Sequence, residues 1–344
     1  MDISLFDFDL PEELIAQSPS MKRDESRLLL INKTNKTYKD GHFYDIIDYL
    51  HKGDVLVRNN TKVIPARLFG VKEETGAHVE LLLLKDKGDD VYECLAGNAK
   101  VIKVGTIITF KDDLLKAECL EVLDEGIRIM KFIYKGIFLE ILNEIGNMPL
   151  PPYIKKQCED NDSYQTVYAK VLGSAAAPTA GFHFTKELLD RIEEKGVEIL
   201  DITLNIGLGT FKPVKEKDVE KHHMHTEHYQ ISKEVAERLN LAKKEHRRII
   251  AVGTTATRTL EANIQKYGEF KEASEDTNIY IMPGYKYKAI DALITNFHLP
   301  KSTLIMLVSA FMGREFTLDV YTHAIENKYR FFSFGDSMFI YGEN

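Results

Sequence analysis

From Tyr164 onward the chain alternates short apolar runs with segments of helical spacing, and that alternation restricts the possible folds more than any other feature. VEILDITLNIG reads as a strand, SKEVAERLNLAKKEH as a helix, RIIAVGTT as a strand and TATRTLEANIQKYG as a helix. NIYIMPG and DALITNF read as further strands, STLIMLVSAFMG as a helix and RFFSFGDSMFIY as a final strand. Such alternation belongs to an α/β sheet or barrel, where ligands gather at the carboxyl ends of the strands. The turns rich in Gly, Thr, Pro and His fall at those ends here.

Between about Phe69 and Asn147 the texture differs. HVELLLLK, DVYECLAG, TIITF, LKAECLEVL and IRIMKFIY are short strands with turn signals between them, the spacing of a small antiparallel barrel or sandwich. GNMPLPPYIKK, with Pro149, Pro151 and Pro152, reads as a stiff linker out of it. Ahead of it, PEELIAQ is a short helix begun by Pro11, RLLLI and TYKDGHF form a hairpin, and YDIIDYLHKGD is helical up to Gly53. DVLVRNNTKVIPARLFG then gives two strands about a polar turn, the second carrying Arg67. The expected fold is α/β: a barrel-like α/β domain over 1–68 and 150–344, interrupted by a small antiparallel β-barrel domain over 69–149.

Composition sets outer limits. A chain of 344 residues with 44% hydrophobic and 28% charged side chains has the make-up of a folded two-domain protein. LIMLVSAFM is too short to span a bilayer, and the acidic start MDISLFDFDLPEE is unlike a secretion signal. Cys94, Cys119 and Cys158 are widely spaced and odd in number, as expected of free thiols in a reducing cytoplasm. The net charge of −8 disfavours a general nucleic-acid coat protein but leaves room for a local basic face. Basic clusters occur at Lys22-Arg23-Arg27, Lys155-Lys156, Lys243-Lys244-His246-Arg247-Arg248 and Lys286-Lys288, each also readable as a solvated surface. Nothing suggests an obligate oligomer, so a cytoplasmic monomer is expected.

Five loops could carry chemistry. GSAAAPTAGFHF (Gly173 to Phe184) joins small residues, which let a backbone approach a ligand, to His183 just ahead of a helix capped by Thr185. It reads equally as a tight turn with a packed histidine. NIGLGTFKPV sets Gly207 and Gly209 beside Thr210, a pattern that a plain β-bulge also explains. AVGTTATRTLE runs from a strand into a helix with Thr254, Thr255 and Arg258 in reach of a carboxylate or phosphate; simple capping, with Arg258 paired to Glu261, is the alternative. TNFHLPKSTLIML puts Asn296 and His298 after a strand, to hydrogen-bond a base or to satisfy a turn carbonyl. FFSFGDSMF is core, or an aromatic wall with Asp336 that stacks a base or holds a cation.

HHMHTEHY is the densest titratable cluster. If it is extended, His223, His225 and Glu227 share a face. It lacks the fixed framework of a zinc site, so no metal is expected, and an acid/base pair of His225 with Glu227 is preferred over a polar strand edge.

Together DFDLPEELIAQSP with SRLL, GDVLVRNNTKVIPARLFG, GSAAAPTAGFHFT, LNIGLGTFKPV, MHTEHY, VGTTATRTLE, TNFHLPKSTLIML and FFSFGDSMF resemble the S-adenosylmethionine:tRNA ribosyltransferase-isomerase family of queuosine biosynthesis, in that family's order and over residues 7 to about 340. The chain departs from the family at Asn205, where a histidine is common, and at Ala175, where a valine is common; position 205 is therefore not expected to be an indispensable proton carrier. The resemblance implies an α/β barrel-like domain interrupted by a β-barrel. It also implies transfer and isomerisation of the ribosyl part of S-adenosylmethionine onto 7-aminomethyl-7-deazaguanine at the wobble position of tRNA, giving epoxyqueuosine, adenine and methionine. S-adenosylmethionine is then a consumed substrate, tRNA is the partner, and neither metal nor cofactor is required.

On that basis His183, His225 and Glu227 are the expected proton-transfer residues. Thr254, Thr255 and Arg258 are expected to hold the methionine carboxylate or an RNA phosphate, with Thr179, Gly181 and Thr210 also binding substrate. Asn296 and His298 would contact a base or ribose, Phe334 and Asp336 would line the sulfonium or deazaguanine, and Arg67, Lys243, Lys244, Arg247 and Arg248 would meet RNA phosphates. The rival readings are a non-catalytic RNA-binding module and a metal-dependent hydrolase built on the histidine cluster.

Overall fold

The computed structural model describes residues 1–111, 113–151, 153–154, 161–207 and 216–342. The chain divides into two compact units, one of Met1–Thr61, Pro152–Val171 and Ala177–Asn344, the other of Lys62–Pro151 and Leu172–Ala176. Arg67 falls in the second, smaller unit.

In chain order the strands are β1 (Arg27–Asn32), β2 (Thr37–His42), β3 (Val55–Asn59), β4 (Thr61–Val63), β5 (Arg67–Lys72), β6 (His78–Asp86), β7 (Val91–Gly97), β8 (Ile107–Phe110), β9 (Leu115–Val122) and β10 (Ile127–Tyr134). After helix α1 (Phe138–Ile145) come β11 (Val171–Ser174), α2 (Lys186–Glu194), β12 (Glu198–Asn205), β13 (Glu227–Ile231), α3 (Lys233–Lys244), β14 (Ile249–Val252) and α4 (Gly253–Tyr267). The chain ends with β15 (Ala273–Thr277), β16 (Ala292–Asn296), α5 (Thr303–Met312), α6 (Arg314–Glu326) and β17 (Ser337–Tyr341).

Helices α2, α3 and α5 begin where the sequence supplies a hydroxyl. Thr185, Ser232 and Ser302 accept the backbone N–H of Leu188, Val235 and Ile305, so each satisfies one orphan donor of α2, α3 and α5. Elsewhere local pattern misleads. NIYIMPG is not the strand; ASEDT (β15) is, because β13 offers it a ladder from Glu227↔Thr277 to Ile231↔Ala273. RFFSFGD is a turn, and only SMFIY forms β17.

The larger unit is built on a nine-stranded mixed sheet ordered β15-β13-β12-β3-β14-β16-β17-β1-β2. β12, β3, β14 and β16 run parallel, while β13 and β17 run against their neighbours β12 and β16, and β1 lies parallel to β17. The central strands β14 and β16 are buried along their whole length, as expected of strands covered on both faces. On one face Leu28, Leu30, Leu56, Ile250, Val252, Ile294 and Phe339 alternate along their strands to meet Phe43, Phe184, Leu188 and Ile192.

The smaller unit holds a closed antiparallel barrel, β10-β7-β6-β5-β8-β9. Gly70 is a glycine because a Cβ there would lie 2.7 Å from Phe110 Cδ1 and 2.8 Å from Ile108 Cγ2 inside the barrel. Among the described residues no helix is long and apolar enough to cross a membrane.

Candidate functional site

Strand direction decides where the loops go. Because β12, β3, β14 and β16 are parallel, Asn205, Asn59, Val252 and Asn296 all end at one edge of the sheet. Antiparallel β13 and β17 begin at that edge, with Asn205 opposite His228 and Asn296 opposite Ser337. β1, parallel to β17, begins there too, with Leu28 beside Ser337. The turns Arg23–Ser26, Thr179–His183, Phe297–Ser302 and Phe332–Asp336 therefore share one rim.

A cleft with about 720 Å³ of empty space, its open mouth included, sits on this rim. One wall is the start of α4. Its N-cap, Val252, supplies no side-chain acceptor, and Gly253 takes φ +86, so the first-turn N–H groups remain open where Gly253, Thr254 and Thr255 border the cleft. Thr255 Oγ1 is buried without a hydrogen-bond partner among the described residues. Asn296 and His298 form the opposite polar wall, and Tyr153, Phe297 and Phe332 supply aromatic surface.

His183 is at the centre of a fully directed hydrogen-bond chain. Asn296 Nδ2 is 3.1 Å from the Phe332 carbonyl, which can only accept; the amide nitrogen therefore points this way and donates to His183 Nε2 at 3.2 Å. At the other nitrogen, Ser26 gives its hydroxyl proton to the Arg23 carbonyl at 2.9 Å. Ser26 Oγ must then accept from His183 Nδ1–H, 2.7 Å away. The two ends agree on one tautomer, and both ring nitrogens are occupied. The ring also stacks on Phe43 at 5.0 Å. Burial, with the positive charges of Arg23 and Arg330, lowers its pKa to about 3, and burial lowers that of His298 to about 3 as well. Both imidazoles are neutral near neutral pH.

The description "queuosine biosynthesis protein" belongs to the family that matches residues 3–340. The chain is a member of that family. It is also similar to a solved structure, the S-adenosylmethionine tRNA ribosyltransferase of Thermotoga maritima, at 36% sequence identity over 98% of this chain and 100% of that one, with a TM-score of 0.57.

Of the residues this family's pattern singled out, Thr179, Thr254, Thr255, Asn296 and His298 border the cleft. Thr179 Oγ1 donates to Asn296 Oδ1 at 3.5 Å. Thr254 and Thr255 lie within the first turn of α4 rather than capping it. Arg258, one turn further in, pairs with buried Glu227, not with Glu261, and its Nε and Nη2 find no partner among the described residues. Glu261 instead accepts the backbone N–H groups of Lys288, Ala289 and Ile290.

Several expectations need correction. His183, expected as a proton-transfer residue, has both ring nitrogens engaged by Ser26 and Asn296. Glu227 is held in a buried ion pair and accepts Gly207 N–H at 3.3 Å, so it is a partner of Arg258 rather than an available base. His225 is exposed and lies ahead of β13, which begins only at Glu227, so the shared strand face does not form. Gly181 serves packing: a Cβ there would lie 2.0 Å from the Tyr168 hydroxyl. The Asp336 carboxylate accepts the N–H groups of Arg27 (2.9 Å) and Arg330 (2.7 Å) and does not border the cleft.

The residues expected to meet RNA phosphates have these surroundings. Arg67 is paired with Glu80 at 3.2 Å within the smaller unit. Arg248 is clamped by Asp54, with Nη2–Oδ2 at 2.5 Å, and Arg247 by Glu198 at 2.8 Å. Lys243, Lys244, Arg247 and Arg248 precede the four-residue β14 while the cleft follows it, so strand rise alone puts them about 13 Å away at the opposite edge. Thr210 lies outside the described residues. Ser26, Tyr153 and Ser333 were missed as site residues; Ser26 stands in the SRLL motif, the one signal that could have found it, and Tyr153 was concealed in a proline-rich stretch that reads as a linker.

Proposed function

We propose that the protein transfers and isomerises the ribosyl part of S-adenosylmethionine onto 7-aminomethyl-7-deazaguanine at the wobble position of tRNA, releasing adenine and methionine and leaving epoxyqueuosine. The observation that carries this reading is the cleft at the strand ends, with an uncapped helix start on one side and neutral polar groups on the other, in a member of the queuosine biosynthesis family.

Each end of S-adenosylmethionine meets suitable chemistry. The open N–H groups of α4, with Thr254 and Thr255, suit the methionine carboxylate. The faces of Tyr153 and Phe332, whose centroids are 4.7 Å apart, suit the sulfonium. Neutral imidazoles matter because an imidazolium beside the cleft would repel that cation. Asn296 and His298 are placed for the nucleoside.

The sulfonium acidifies the neighbouring C5′–H, and a base must accept that proton. With His183 engaged at both nitrogens and Glu227 ion-paired, we assign this step to His298, the imidazole among the described residues that border the cleft. His183 becomes a positioning residue that orients the Asn296 amide. The test is release of adenine from S-adenosylmethionine by the purified protein, with a tRNA carrying the aminomethyl base as acceptor. Wild-type protein is expected to release adenine with that tRNA and His298→Ala to be severely slowed; no release by the wild type would overturn the reading.

A further inference from the structure

A second space opens on the same rim, with about 620 Å³ of empty volume including its mouth. The walls that matter are Ser20, Met21, Arg23, Phe182, His183 and Phe334. Ser333 and the hydrogen-bonded pair His183–Asn296 stand between it and the cleft. His183 borders this second space while the Asn296 amide bound to its Nε2 borders the cleft, and Ser333 borders both.

Its chemistry differs from the cleft's. No carboxylate borders it among the described residues. Arg23 is fixed to the carbonyl of Gln165 at 2.8 Å, with its guanidinium 5.7 Å from the Phe182 ring centre. Arg330 reaches the mouth through Ser20 Oγ at 3.0 Å and the Ser18 carbonyl, both neutral acceptors, with the Asp336 carboxylate on its backbone N–H. Phe182 and Phe334 stack at 6.0 Å and give the space an aromatic side. At the rim Met21 is completely exposed (104%), and Lys22 beside it is exposed and paired with Glu25 at 2.8 Å. Positive charge at the mouth, hydroxyls within and aromatic faces behind are the requirements of a nucleotide in an RNA strand: phosphate outside, base inside.

We propose that this second space receives the acceptor nucleotide of the RNA, its phosphate facing Arg23 and Arg330 and its base lying against Phe182 and Phe334. The inference rests on the function proposed above and divides the two substrates between two compartments. The His183–Asn296–Ser333 partition would then keep the reactants side by side, as a transfer between two bound molecules requires.

Met21 provides the test, because its side chain packs against nothing that would unfold on substitution. Met21→Glu places a negative charge at the mouth and Met21→Lys a positive one. At low salt, direct binding of the acceptor tRNA is expected to weaken about threefold for Met21→Glu and to tighten about threefold for Met21→Lys, the size of one charge acting over several ångströms of water. S-adenosylmethionine affinity, measured without RNA, should not move. Lys244→Glu, at the opposite edge of the sheet, should leave tRNA affinity unchanged. The proposal is overturned if neither Met21 variant changes tRNA affinity, if both change it in the same direction, or if S-adenosylmethionine affinity changes instead. Absence of adenine release by the wild type would count against the function, whereas turnover by the wild type with unresponsive Met21 variants would count against this compartment alone.

Discussion

Glu227→Gln separates a structural carboxylate from a catalytic one. Glu227 is 4% exposed and Arg258 is 4% exposed, and the two form an ion pair beneath the start of α4. Glutamine keeps an acceptor for Gly207 N–H but removes the charge, leaving a buried guanidinium whose Nε and Nη2 already find no partner among the described residues. Breaking one side of a buried pair costs about 3–5 kcal/mol. With a urea slope of about 3 kcal/mol/M for a chain of this size, the unfolding midpoint should fall by about 1–1.7 M. Arg258→Met in the same background removes the orphaned charge, so the double variant should regain most of the loss, with a coupling energy of about 3 kcal/mol. Urea titration of the wild type, both single variants and the double variant, followed by far-UV circular dichroism, measures all four corners. A Glu227→Gln protein of wild-type stability that has lost turnover would refute this reasoning and return Glu227 to the list of bases.

Three further outcomes follow from the geometry. Because the pKa values of His183 and His298 are lowered in the fold to about 3, the unfolded chain binds their protons first. Their stabilisation is complete above about pH 6.5 and is lost as pH falls toward about 3, at about 2 kcal/mol each by pH 5; His183→Gln should shed one share of that slope in urea midpoints taken at several pH values. Gly181→Ala drives a methyl onto the Tyr168 hydroxyl at 2.0 Å and the Thr166 Cγ2 at 2.7 Å, and should cost about 1–3 kcal/mol, read as a lower melting temperature that Tyr168→Phe partly restores. Asp336→Asn leaves one of two backbone N–H groups facing an amide nitrogen, and should cost about 1–3 kcal/mol in denaturant while S-adenosylmethionine affinity is kept.

How far the site could be read from residues alone depended on whether a residue's partner lay nearby in sequence. Thr254 and Thr255 follow a strand and open a helix, so local pattern sufficed to put them where ligands gather. Asn296 and His298 were legible for the same reason. The partner of Glu227 could not be seen in the His225–Glu227 pattern, because Arg258 comes from another element. The place of the basic run Lys243–Arg248 ahead of β14 could not be seen, because a charge count carries no direction along the strand. The role of His183 could not be seen, since Ser26 and Asn296 approach it from 157 and 113 residues away.

The sequence alone determined the classes of local structure: hydrophobic period marked the strands and helices, hydroxyls marked helix starts, and a change of texture marked the β-barrel insertion. It also carried the family pattern, because that pattern is a property of residue order. Strand order and direction were decided only by tertiary structure, and with them which loops share a rim, which charges neutralise each other and which imidazole has both nitrogens engaged. The physical reason is that burial and hydrogen bonding depend on neighbours in space. A carboxylate or imidazole has the same formula in either setting, and only its surroundings decide whether it holds the fold or faces a ligand.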